Sequence, residues 1–226
     1  STLSEMVDAA RELGLSYLGI SDHSKSSFQA NGLNEERLLQ QIAEIRSLDS
    51  TLKDIDLYAG NEVDILRDGS LDFENDVLEQ LDYVVASVHA SFNLPEKEMT
   101  ARLIKAMENP YVSMLGHVSG RLLLRRDAYA VNHEKIIDCA AATGTVIELN
   151  CSAKRMDMDW RWWRRARDKG VKCSINPDAH HIEGFQNLHF GVRAARKGWL
   201  SKEDILNCKP PQEIAKWMQT PKAQRI

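Results

Sequence analysis

Imidazoles and carboxylates in this chain fall at the ends of short apolar runs, the arrangement a metal centre needs. The segment Cys173-Ser-Ile-Asn-Pro-Asp-Ala-His-His181 reads as a strand running into Asp178 and His180. Similar runs lead into His23, Glu62, His89, Gly116-His117 and Asn150. Taken singly, each has a bland reading: a turn residue, a loop carboxylate or a buried structural imidazole. Together His23, His89, His117, His180, Glu62 and Asp178 form a mixed nitrogen and oxygen donor set. Such a set suits more than one divalent metal, with Zn, Mn, Fe and Mg all admissible. Paired metals can activate water and neutralise a phosphoryl oxygen, so the chemistry expected is phosphoester hydrolysis. Glu62, Asp178 and Arg121 are the candidate catalytic groups. Arg121, four residues past His117, is placed to hold a phosphate oxygen, with Arg125 and Arg126 behind it. Arg155, in the loop after Asn150, is a second substrate contact. Asn150 is either a substrate contact or, like Asp22, a group that orients imidazoles or water.

The elements that must position these residues alternate. Apolar periodicity predicts helices over 4–13, 34–48 (capped by Asn34), 75–80, 96–108, 134–142, 159–169 and 185–197, with short terminal helices over 202–207 and 212–218. β-branched runs predict strands over 17–21, 55–59, 83–88, 112–115, 145–149 and 171–175. Six strands alternating with helices imply a parallel α/β fold, whose active groups gather at the carboxyl ends of its strands.

The 226 residues, 43% apolar and 27% charged, suit one domain with a full core. No run spans a bilayer, no signal peptide opens the chain, and the four cysteines are scattered, so a cytoplasmic protein with reduced thiols and no membrane partner is expected. The net charge of −4 exerts no general pull on nucleic acid, although arginines cluster at 121–126 and 161–167. The Trp160-Arg-Trp-Trp163 run could stack on bases, but packing of Trp162 or Trp163 into the core is the favoured reading.

Ile20-Ser-Asp-His-Ser-Lys-Ser26, Gly60-Asn-Glu-Val-Asp-Ile-Leu66, Ala86-Ser-Val-His-Ala-Ser-Phe92, Gly116-His-Val-Ser-Gly-Arg121 and Ile175-Asn-Pro-Asp-Ala-His180 resemble motifs of the PHP (polymerase and histidinol phosphatase) phosphoesterase superfamily. The segments 64–72 and 120–126 and Gly198-Trp-Leu are most similar to the C-terminal PHP domain of bacterial family X DNA polymerases. The resemblance implies a distorted TIM-like (β/α)7 barrel over residues 1–226 and up to three divalent metals, commonly Zn or Mn. It implies that Glu62 bridges two metals, that His89 and His117 complete one, that Asp178 joins Glu62 on the other, and that His23 and His180 serve a third. It further implies 3′→5′ exonuclease-type hydrolysis at DNA 3′ ends, in DNA repair, beside a polymerase domain.

The same resemblance leads one to expect a first strand carrying His-x-His, followed by Ser-Asp-Gly. This chain starts at Ser1-Thr-Leu-Ser-Glu-Met6, so that strand and three ligands are expected to be absent. The barrel is then expected to have six strands, the chain to be a trimmed piece of a larger polymerase, and its own activity to be weak. Two other readings stand beside this one: a small-substrate phosphatase of the histidinol-phosphate type, and a non-catalytic metal-binding module.

Overall fold

A computed structural model describes residues 1–225. Six parallel strands form one sheet in sequence order: β1 (Tyr17–His23), β2 (Asp56–Asp64), β3 (Tyr83–Ser87), β4 (Met114–Leu115), β5 (Val146–Asn150) and β6 (Cys173–Asn176). The helices between and after them are α1 (Leu3–Glu12), α2 (Glu35–Asp49), α3 (Asn75–Leu78), α4 (Glu96–Glu108), α5 (His133–Thr143), α6 (Trp160–Asp168), α7 (Leu188–Lys197) and α8 (Pro211–Gln219). All six expected strands are present. β1 and β2 run past their predicted ends, so His23 and Glu62 are not loop residues but register partners on neighbouring strands. Helix starts follow local chemistry: Thr2 and Glu5 close a capping box on α1, and Asn34, Asn132 and Asp159 cap α2, α5 and α6.

The sheet curls strongly. Five inter-strand steps of about 4.8 Å would hold its edges about 24 Å apart if it were flat. Yet the rings of His23 on β1 and His180 beyond β6 lie 5.9 Å apart. β1 and β6 are not paired with each other, so the six strands form an arc with an open seam, as a seven-stranded barrel lacking one strand would. A cavity of about 1100 Å³ fills the seam, lined by Leu18, Ile20, Ile175 and Ile214 among others.

Period-two alternation sorts the strands into two layers. The outward layer, including Ala59, Val63, Val84, Ala86 and Ile147, packs with the helices into the main core. The inward layer forms a second cluster of Tyr83, Val85, Met114 and Val146, closed below by Leu206 and Ile214. The Tyr83 ring crosses this interior so closely that a Cβ at Gly19 or Gly60 would collide with it. Small residues in that layer leave the polar layer above it, nearer the strand ends, free to converge.

Candidate metal centre

Three side chains from three adjacent strands meet at one point. Glu62 lies in the inward row Tyr58, Gly60, Glu62, Asp64 of β2, His89 follows β3, and His117 follows β4. The Nε2 atoms of His89 and His117 are 3.2 Å apart. Glu62 Oε1 lies 3.0 Å from His117 Nε2 and 3.4 Å from His89 Nε2. Ligand bonds of about 2.0–2.1 Å at tetrahedral angles place ligand atoms about 3.3 Å from one another, so this triangle has the edge lengths of three corners of a tetrahedral site. His23 approaches from β1, with Nδ1 3.2 Å from Glu62 Oε2. Ligand atoms of His23, Glu62 and His89 all lie within 4.8 Å of one another.

The electrostatics favour added positive charge. Burial alone would raise Glu62, but hydrogen bonds to His117 and His89 hold it well below the usual carboxylate range. Burial pulls the His89 imidazolium down, yet Asp64 and Glu62 outweigh it and push His89 up to about 10. Burial lowers His23, partly offset by Glu62. The pocket thus keeps a proton on His89 between two carboxylates, a place a dication can take on deprotonation of the ring.

Asp64 and Glu148 belong to this centre although the ligand pattern alone does not reveal them. His89 Nδ1 donates to Asp64 Oδ1 at 2.9 Å, which directs Nε2 at the triangle. Asp64 is itself held by Ser27 Oγ at 2.6 Å. Glu148 on β5 accepts from the His117 backbone N–H at 2.8 Å and from Asn176 Nδ2 at 3.0 Å. Burial, reinforced by Asp178 and Glu62, pushes Glu148 up to about 7 against the pull of His117. The signal for Asp64 was present as Asn61-Glu-Val-Asp64, two carboxylates at strand spacing.

The remaining residues divide. Asp178, in the left-handed region at φ 51°, accepts from Asn150 Nδ2 at 3.0 Å and pairs with Arg155 Nε at 3.5 Å. His180 Nδ1 lies 3.0 Å from the Asp178 carbonyl oxygen. Asn150 therefore orients Asp178, and Arg155 keeps a buried Nη1 with no partner among the described residues. Two expectations are corrected. Asp22 is exposed on the strand opposite in parity to His23 and accepts from Gln41 of α2 at 2.6 Å, so it orients no imidazole; Asp64 does that. Arg121 does not face the centre with a free fork. Its guanidinium donates to the Arg155 and Met156 carbonyls and to Asp159, which clamps the 155–159 loop. Arg126 likewise donates to the Gly120 carbonyl and covers the Phe92 ring at 4.0 Å.

The PHP domain pattern matches residues 1–152, two thirds of the chain and most of this centre. The chain belongs to the PHP domain family. Among PHP relatives it is 38% identical, over 96% of its length, to the DNA polymerase/3′-5′ exonuclease PolX of Bacillus subtilis (strain 168). It spans 38% of that relative's length. A probable phosphatase of Thermoanaerobacter sp. (strain X514) is 25% identical over 92% of this chain and 84% of its own. Among solved structures, histidinol phosphate phosphatase from Lactococcus lactis, complexed with zinc, L-histidinol and phosphate, matches 89% of both chains at a TM-score of 0.63 and 15% identity. That likeness shows the PHP fold, the TIM-like α/β arc described above. No helix among the described residues is long and apolar enough to cross a membrane.

Proposed function

We propose that this chain is a metal-dependent phosphoester hydrolase acting on DNA 3′ ends, in a parent protein that also carries a polymerase region. The observation that carries the hydrolytic reading is the triangle of His89 Nε2, His117 Nε2 and Glu62 Oε1, with edges of 3.0–3.4 Å. The choice of DNA rests on the 38% identity to a relative named as a polymerase and 3′-5′ exonuclease.

In this reading His89, His117 and Glu62 hold one divalent ion, with His23, Asp178 and His180 beside them for further ions. A divalent ion bound there supplies a Lewis acid for a phosphoryl oxygen and makes water more acidic. Asp64 holds the proton on His89 Nδ1 and so keeps Nε2 directed inward. Glu148 anchors the His117 backbone. Asn150 and Arg155 fix Asp178, and Arg155 is the candidate contact for a substrate phosphate. Arg121 contributes by shaping the loop that carries Arg155.

Elemental analysis after loading with Zn or Mn, together with hydrolysis of a 3′-labelled oligonucleotide, tests the proposal. Retained metal and undiminished hydrolysis in His117→Ala would overturn it. The seam cavity of about 1100 Å³, which His23 and Asp178 help line, favours a second reading: a small phosphomonoester as substrate. Preference for p-nitrophenyl phosphate, with oligonucleotides left intact, would select that reading.

A further inference from the structure

The tryptophan and arginine run at the start of α6 behaves in two ways. Trp163 is fully buried, as its packing reading requires. Trp162 is half-buried and stacks on His133, with the rings 4.9 Å apart. Trp160 is different: it is 38% exposed, and Trp199, just beyond α7, is 65% exposed. These two indoles are neighbours on one surface. A Cβ on Gly198 would stand 2.7 Å from Trp163 Cβ and 3.2 Å from the Trp160 carbonyl oxygen, so the end of α7 rests directly on the first turn of α6. Cations from the opposing segment cover each ring. Lys197 Nζ lies 4.5 Å from the Trp160 centroid, and Arg164 Cζ lies 5.8 Å from that of Trp199.

The same two helices hold the main concentration of positive charge in a chain whose net charge is −4. α6 carries Arg161, Arg164, Arg165 and Arg167, α7 carries Arg193, Arg196 and Lys197, and Asp168 is the single acid within them. Arg161, Arg165 and Arg167 pair with Asp159, Glu134 and Asp168. Arg164, Arg193, Arg196 and Lys197 are exposed, and none has a carboxylate partner among the described residues. Arg193, Arg196 and Lys197 follow one another at i, i+3 and i+4, which puts them on one face of α7.

We propose that the α6–α7 surface is a docking site for single-stranded nucleic acid, with the free cations on the phosphates and Trp160 and Trp199 stacking on bases. Cations interleaved with exposed indoles suit such a strand, because every base offers a π face and every linkage a charge. An anionic membrane would instead favour a helix with one broad apolar face. A chain of contacts links the start of α6 to Asp178. Asp159, next to Trp160, pairs with Arg121, which clamps the loop whose Arg155 reaches Asp178. Such docking deepens the proposed function, and binding is measured apart from hydrolysis.

The test is a fluorescence titration with an oligothymidylate of about 12 nucleotides, within the site sizes typical of such surfaces. Intrinsic tryptophan quenching and a labelled strand's anisotropy report binding. The unaltered chain should bind with tryptophan quenching. The triple variant Arg164→Ala, Arg196→Ala, Lys197→Ala should bind about tenfold or more weakly, and its slope of log affinity on log salt should fall by about 2, for three lost phosphate contacts. Trp199→Ala should weaken oligonucleotide binding by about tenfold while leaving binding of inorganic polyphosphate unchanged. All four side chains are exposed, and unchanged thermal melts would confirm that the variants fold. His117→Ala should lose hydrolysis yet bind the strand as before, so failure of the catalytic reading is separable from failure of this one. Equal binding by the triple variant and the unaltered chain overturns the proposal. So does tight polyphosphate binding with no effect of Trp199→Ala on oligonucleotide, or capture by phosphatidylserine vesicles in preference to oligonucleotide.

Discussion

The His117 side chain is 1% exposed and sits between Glu62 and His89, whereas the His180 side chain is 61% exposed and leans on Asp178 of its own loop. Both belong to the same ring of donors, and the difference comes from where their strands lie. β2, β3 and β4 each have a strand on either side, so ladder pairing fixes Glu62 against Val85 and the strand ends from which His89 and His117 follow within two residues. β6 is an edge, and the residues beyond it answer mainly to local turns. The inner half is thus preorganised by the sheet, while the outer half keeps conformational freedom that binding must remove.

That contrast predicts unequal losses. His117→Ala should abolish the tight class of bound metal and cut hydrolysis by about 100-fold or more. His180→Ala should leave the tight metal in place and cost about tenfold. Metal retention after dialysis and kcat/KM on one phosphoester substrate measure both, and equal losses would break the contrast. Asp64→Asn sharpens it without touching a proposed ligand. It should lower metal affinity by about 10- to 100-fold, because His89 loses the partner that fixes its tautomer. Competition with a chelator reads this directly, and an unchanged affinity would mean that sheet geometry alone aims the ring.

The two arginines give a smaller and more diagnostic pair. Arg155→Ala should raise KM for a phosphoester more than it lowers the melting temperature, since its carboxylate contact is the 3.5 Å pair with Asp178 beside the centre. Arg121→Ala should do the reverse, destabilising the fold by about 1–3 kcal/mol through the loss of its loop contacts. A KM effect of Arg121→Ala without a melting shift would restore it as a substrate contact.

The fold was legible where the chain alternates strongly: six strands and the principal helices stand close to where periodicity places them. The convergence of His23, Glu62, His89 and His117 was legible for the same reason, because strand ends in a parallel sheet share one edge. What sequence could not show depends on side-chain direction. Asp22 and His23 are adjacent in the chain but lie on opposite faces of β1, so nearness in sequence misassigned Asp22. Arg121 lies close to His117 in sequence, but a rigid turn swings it toward carbonyl groups 34 and 35 residues away. Glu148 looked like one member of an apolar strand, and only the curl of the sheet turns it toward His117. The open seam between β1 and β6 agrees with the expected six strands, one fewer than the (β/α)7 barrel of the resemblance.

Loss of chemistry must be told apart from loss of fold, and a buried amine remote in sequence from the metal centre supplies the control. Lys222 Nζ donates to the Met107 and Asn109 carbonyls near the end of α4 and is 7% exposed. Burial lowers it from 10.5 to about 8 in the folded chain. Between those values the unfolded chain binds the extra proton, so stability rises with pH. The gain is complete above 10.5 and is lost as pH falls through about 8. At most it is worth about 3 kcal/mol. Urea melts from pH 7.5 to 10.5 should show that rise in the unaltered chain relative to Lys222→Met, whose difference cancels the other groups titrating there. Lys222→Met should also keep its metal and its kcat/KM at pH 7.5. A fall in either would mean that the sheet transmits strain from that distant anchor to the triangle, and that the inner half is less self-contained than its ladder pairing implies.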